Sequence, residues 1–144
     1  MEKYHLEKDL KVFGVSVDTF PNGIAEAFDK LVNMLPEKDE RPYYGISQCI
    51  NGKMDYLAAA LETYEGEGEK YGCRNYTIEK GDYVLDSLQD WKTKTEQIKG
   101  IIEQIITDER VDRRKPAIEI YKNSKEMVCM VKMHDRTEIA TEFD

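Results

Sequence analysis

Cysteine, histidine and tryptophan are scarce in this chain: three, two and one among 144 residues. Cys49, Cys73 and Cys129 are odd in number and far apart, with no CxxC pair. His5 and His134 lie near opposite ends. That pattern argues against a metal centre, a disulfide framework or any cofactor held by such ligands. Positive charge is also in short supply, 21 basic residues against 29 acidic ones, for a formal net charge of −8. Phosphate backbones require a basic surface, and no helix-turn-helix or zinc-finger pattern precedes the domain, so no direct nucleic-acid binding is expected. No apolar run approaches the roughly 20 residues of a membrane span. The opening MEKYHLEKDLK lacks the apolar core of a signal peptide, which makes a cytoplasmic location the expectation and excludes a membrane partner.

Hydrophobic residues make up 40% and charged residues 35%, the balance of a soluble folded protein. One domain over residues 1–144 is expected, its core at about 10–133, with His134 to Asp144 a flexible acidic tail. An acidic surface suits a cationic partner better than an anionic one.

The most informative stretch is KPAIEIYKNSKEMVCMVKM, Lys115 to Met133. Pro116 opens a strand, Asn123-Ser124 marks a turn, and Met127 to Met133 returns. Alternation places Ile118 and Ile120 on one face and Ala117, Glu119 and Tyr121 on the other. The returning strand is apolar at both parities, so the sheet is expected to be covered on both sides. Burying an uncompensated carboxylate costs several kcal/mol. Glu119 therefore either faces water or awaits a positive partner.

Upstream, Met1 to Asp9 is polar and of unassigned structure. Val12 to Val17 reads as a strand. Ile24, Phe28, Leu31 and Leu35 form a helical stripe that Pro36 ends. Tyr43 to Ile50 and Met54 to Glu62 flank Asn51-Gly52, a strong hairpin signal. The second of these strands sets Tyr56, Ala58, Ala60 and Glu62 on one face. Small residues beside a carboxylate make room for a ligand, or let a helix pack closely. Tyr64 to Arg74 is glycine-rich and acidic, a connector without the lysine of a phosphate loop. Tyr76 to Glu79 and Asp82 to Leu88 read as strands. Trp91, Ile98, Ile101, Ile102, Ile105 and Ile106 then form the stripe of a second helix over Trp91 to Ile106. Trp91 itself serves as core, as rim or as a ligand platform.

Strand, helix and hairpin thus occur twice in the same order. The expected fold is α+β, with duplicated β-α-β-β units forming one antiparallel sheet and two main helices packed against it. A pseudo-twofold axis would leave a groove at the junction.

In order, KVFGVSVDTFP with its helix, PYYGIS with MDYLAAALE, TIEKGDYV, and KPAIEIY with MVCMVKM resemble the GyrI-like small-molecule-binding domain, also the effector-binding half of AraC- and MerR-type transcription regulators. These pieces span residues 10 to 133. The resemblance implies a stand-alone multidrug-type domain that binds hydrophobic or cationic small molecules as sensor, sequestering protein or effector module. It implies Glu119 as counter-charge, with Tyr44, Tyr56, Tyr83, Tyr121 and Trp91 as aromatic contacts; Glu62 is the second acidic candidate. The enzymatic alternative is a hydrolase of strained electrophiles using the pocket glutamate as general base. A protein partner, as in topoisomerase inhibition, is the third reading, and the acidic loop Glu65 to Glu69 would serve it. No catalytic or metal-ligating residue is assigned.

Overall fold

The computed structural model describes residues 1–36 and 41–135. It is a mixed α/β fold built on one eight-stranded antiparallel sheet, curled into a half-barrel. The strands are β1 (Glu2–Leu6), β2 (Leu10–Val17), β3 (Tyr43–Ile50), β4 (Lys53–Leu61), β5 (Arg74–Ile78), β6 (Gly81–Gln89), β7 (Ala117–Tyr121) and β8 (Glu126–Lys132). Among the described residues the α-helices are α1 (Ile24–Met34), α2 (Glu67–Lys70) and α3 (Ile98–Ile105). Across the sheet the order is β1-β6-β8-β7-β3-β4-β2-β5.

Asn51-Gly52 makes the expected two-residue turn between β3 and β4, both residues with positive φ, as a tight hairpin requires. Strand parity then divides the core. On the inner face of the curl, Val12, Tyr44, Ile46, Leu57, Ile78, Tyr83, Ile118 and Met130 pack together. The outer face carries the helices. Leu31 and Leu35 at the α1 end of the chain pack on Phe13 and Ala60, while Ala27, Ile24 and Phe28 cover Val17, Tyr56 and Ala58. Ile105, with Ile98, Ile101 and Ile102, covers Val84, Met127, Cys129 and Val131. Each large apolar side chain buried in this way contributes about 1.5–3 kcal/mol.

Three expectations are corrected. The polar N-terminal stretch is a strand, β1, which pairs with β6 from Glu2↔Leu85 to Leu6↔Gly81. Its pattern was faint because only Leu6 is buried. The second helix does not run unbroken from Trp91. Two 3-10 turns, Trp91–Thr93 and Thr95–Gln97, come first, separated by Lys94 at φ −134°. The indole N–H of Trp91 donates to the Asn123 carbonyl at 2.9 Å, and Thr93 Oγ1 donates to the Asp90 carbonyl at 3.1 Å. These bonds add to the backbone bonds of the turn, from the Thr93 amide to the Asp90 carbonyl and from the Lys94 amide to the Trp91 carbonyl. The Tyr64–Arg74 connector contains the single turn α2. Most of the expected acidic tail, and residues 37–40, lie outside the described residues.

Candidate functional site

Glu119 sits on the outer face where β7 meets β3, opposite Gly45. Reading across the sheet at this level, the residues are Asp86, Cys129, Glu119, Gly45, Ala58 and Val15. The glycine and the alanine leave the space into which the Tyr56 ring reaches from the next level of β4. Tyr56 donates its hydroxyl to Glu119 Oε1 at 2.8 Å, and Tyr121 donates to the same oxygen at 2.6 Å.

Glu119 is only 8% exposed. Among the described residues its Oε2 accepts no hydrogen bond and no cation pairs with the carboxylate. Every buried side-chain nitrogen and oxygen among those residues has a partner, so Oε2 is the oxygen that is not sealed in. Burial raises the Glu119 pKa; the hydroxyls of Tyr121 and Tyr56 pull it back only in part. The same burial, together with the neighbouring carboxylate, raises both tyrosines and keeps them protonated as donors.

Aromatic rings surround this carboxylate. Phe20 stacks on Tyr56 with centroids 5.6 Å apart. Phe28, from α1, meets Tyr56 edge-on at 6.5 Å and Tyr121 edge-on at 5.8 Å. On the far side Trp91 lies against Tyr121 at 4.7 Å. Edge and face contacts of this kind follow from the ring quadrupole, which also attracts cations to the ring faces.

The structure brings together Glu119, Tyr56, Tyr121 and Trp91, and separates the other three expected residues from them. Tyr44 and Tyr83 are on the inner face, in the apolar core. Burial pushes the Tyr44 phenol up to about 12, and the Tyr83 hydroxyl donates to the Glu79 carbonyl. Glu62 lies just beyond β4 and accepts from the Gly66 amide at 3.0 Å, bracing the turn into α2. Parity placed Tyr121 with Glu119 and Tyr56 with Ala58 along their own strands, but matching faces between strands needs the ladder register.

Sequence reasoning passed over Phe20, Phe28 and Gly45. Phe28 stood on the α1 stripe and was indistinguishable from core, and nothing local marked Gly45 as facing an acid. It also passed over a buried ion pair. Arg41 Nη1 and Nη2 donate to Glu67 Oε1 and Oε2 at 2.8 and 2.9 Å, and Thr63 adds its amide and hydroxyl to Oε1. No group of three or more metal-ligating side chains is found among the described residues, and all three cysteines are free. No helix among the described residues is long and apolar enough to cross a membrane.

No protein-family model matches the chain, and no curated protein matches it in sequence. Solved structures share its fold. An integron cassette protein from the mobile metagenome of Vibrio cholerae superposes with TM-score 0.68 at 13% identity, over 92% of this chain and 95% of its own. The protein SAV2435, solved with tetraphenylphosphonium bound, gives TM-score 0.60 at 15% identity over the full length of both chains. A Staphylococcus aureus MU50 protein provisionally described as a bacterial transcription regulation protein gives 0.58 at 16%, over 91% of this chain and 97% of its own. At these identities the likeness is one of fold.

Proposed function

We propose that this protein is a small-molecule-binding domain of the GyrI-like type whose ligand is a lipophilic cation. The observation that carries the reading is Glu119: a nearly buried carboxylate with two phenol donors on one oxygen and, among the described residues, no partner for the other oxygen and no counter-charge. A buried ion without a partner is costly, and a delocalised cation that desolvates easily would relieve that cost when it enters. Tyr56, Tyr121, Phe20, Phe28 and Trp91 would supply ring faces, each gaining about 0.5–2 kcal/mol from a cation. Two structural neighbours agree with this reading, one solved with a phosphonium cation and one described as a regulator.

The fold reading extends the same way. Taken outward from the β3–β7 junction, β3-β4-β2-β5 on one side mirrors β7-β8-β6-β1 on the other. That order supports two β-α-β-β units related by a pseudo-twofold axis, with Glu119 at their seam.

Titration with tetraphenylphosphonium and with tetraphenylborate, ions of the same shape and opposite charge, tests the proposal. Saturable binding of the cation alone is expected. Equal binding of both ions, or of neither, overturns it. The raised pKa of Glu119 would also suit a general base acting on water. Consumption of an added strained electrophile beyond one equivalent per protein would favour that hydrolytic reading, and saturable binding without turnover the binding module.

A further inference from the structure

The two oxygens of Glu119 are in different situations. Oε1 takes both phenol hydroxyls, from Tyr56 at 2.8 Å and from Tyr121 at 2.6 Å. Among the described residues no buried side-chain oxygen lacks a partner, so Oε2, which has no donor there, keeps contact with solvent. The flanking strands explain the vacancy. On β3 the residue in register is Gly45, which has no side chain to offer. On β8 it is Cys129, whose thiol donates to Met127 Sδ at 3.9 Å instead. Burial first, then Glu119 and Asp86, push that thiol up to about 12, so it keeps its proton. Of the other rings, Phe20 and Phe28 carry no polar hydrogen, and the indole N–H of Trp91 is spent on the Asn123 carbonyl. The carboxylate thus presents one open acceptor, and among the described residues no group is placed to fill it.

We propose that the ligand is a protonated amine whose N–H fills this position, and that the site prefers such an ion to a quaternary cation on the same frame. This rests on the reading of Glu119 as the counter-charge of a bound cation and adds the chemistry of the ligand's charged end. A cation that enters strips water from Oε2. A quaternary centre balances the charge but leaves that oxygen without a donor, and a buried acceptor left bare loses its hydration uncompensated. Its shell of methyl groups also holds the charge further away. An ammonium N–H replaces the lost water with a charge-assisted bond, shorter and stronger than a neutral one. Its own hydration is lost on entry, and that cost is least for a tertiary ammonium with a single N–H.

N,N-Dimethyl-1-naphthylmethylamine, protonated at neutral pH, and its N,N,N-trimethylammonium analogue share ring and charge and differ by an N–H against an N-methyl group. In calorimetric titration the wild-type protein is expected to bind the tertiary ion about tenfold more tightly, the scale of a hydrogen bond to a charged group. Glu119→Gln keeps its oxygen for the two hydroxyls and puts an amide NH2 in the place of Oε2. It should therefore weaken both ions, the tertiary one more, and abolish the preference. Equal or tighter binding of the quaternary ion by wild type overturns the N–H assignment; if Glu119→Gln still weakens both ions, the counter-charge reading stands without it. A preference that survives in Glu119→Gln comes from size and overturns the assignment as well. If wild type binds neither ion, or Glu119→Gln leaves both affinities unchanged, the counter-charge reading falls and the proposal with it.

Discussion

Gly45 and Glu119 face each other across the β3–β7 ladder so closely that a methyl group on residue 45 would lie 2.6 Å from Glu119 Oε1. The same methyl would lie 2.0 Å from the Tyr56 hydroxyl. The missing side chain is thus the space in which the tyrosine–glutamate bond is made. Gly45→Ala should displace Tyr56 and destabilise the protein by about 1–3 kcal/mol, the usual cost of forcing bulk into a packed site. Denaturant unfolding measures the loss, and the same variant should lose affinity for tetraphenylphosphonium. Wild-type stability and affinity together would mean that the site tolerates bulk there.

Removing either phenol tests the hydrogen bonds separately from the rings. Tyr56→Phe and Tyr121→Phe each keep an aromatic face but take one donor from Oε1. Hydrogen bonds to charged groups are worth about 1.5–3 kcal/mol, so each change should weaken cation binding by roughly tenfold or more. Calorimetric titration reads this directly, and each variant should shift the Glu119 pKa further upward.

Protonation offers an independent handle. Burial raises the Glu119 pKa in the folded protein, so between its ordinary range and the raised value the folded state holds a proton that the unfolded chain has released. Ligand-free stability should therefore fall as pH rises through that window, and the contribution should vanish in Glu119→Gln. Cation binding runs the other way, because the bound cation needs the ionised carboxylate. Affinity should climb with pH by at most about tenfold per unit and level off above the raised pKa. Proton release measured on ligand addition at low pH checks the sign.

How far the sequence carried this account depends on the reach of each signal. The alternation of Ala117 to Tyr121 placed Glu119 and Tyr121 on one face, away from Ile118 and Ile120, and Asn51-Gly52 located a hairpin; both are local signals. Tyr44 and Tyr83 were grouped with Glu119 on the resemblance alone, and a tyrosine's face relative to another strand is not defined without the ladder register. The β3–β7 and β6–β8 registers, set by pairings far apart in sequence, turn them inward. The curl gives the sheet an inner apolar face, and both tyrosines are packed in it. Phe20 and Phe28 carried no mark distinguishing site from core, and the Arg41–Glu67 pair joins the chain just before β3 to a stretch that composition described only as a glycine-rich, acidic connector.

That ion pair has its own consequence. Arg41 and Glu67 are among the few buried charged residues, and their bidentate contact ties the start of β3 to α2. Burial opposes ionisation of Glu67, but Arg41 and Thr63 outweigh it and hold the carboxyl below its usual range. Arg41→Met should cost about 3–5 kcal/mol, since it leaves a buried charge without its partner. In the wild type the contribution is present above the ordinary carboxylate range and lost as pH falls through the depressed value. Thermal unfolding of Arg41→Met and of the double variant Arg41→Met/Glu67→Leu checks this, with most of the loss recovered in the double variant.

The most direct test replaces the charge of residue 119 and nothing else. Glu119→Gln keeps an oxygen for the two tyrosine hydroxyls, so the fold should remain as stable as wild type or become more so. Tetraphenylphosphonium titrated into this variant should bind about 10- to 100-fold more weakly than to wild type, the range of a lost hydrogen-bonded charge interaction. A folded Glu119→Gln protein with unchanged affinity would contradict the assignment of this carboxylate as the ligand's counter-charge.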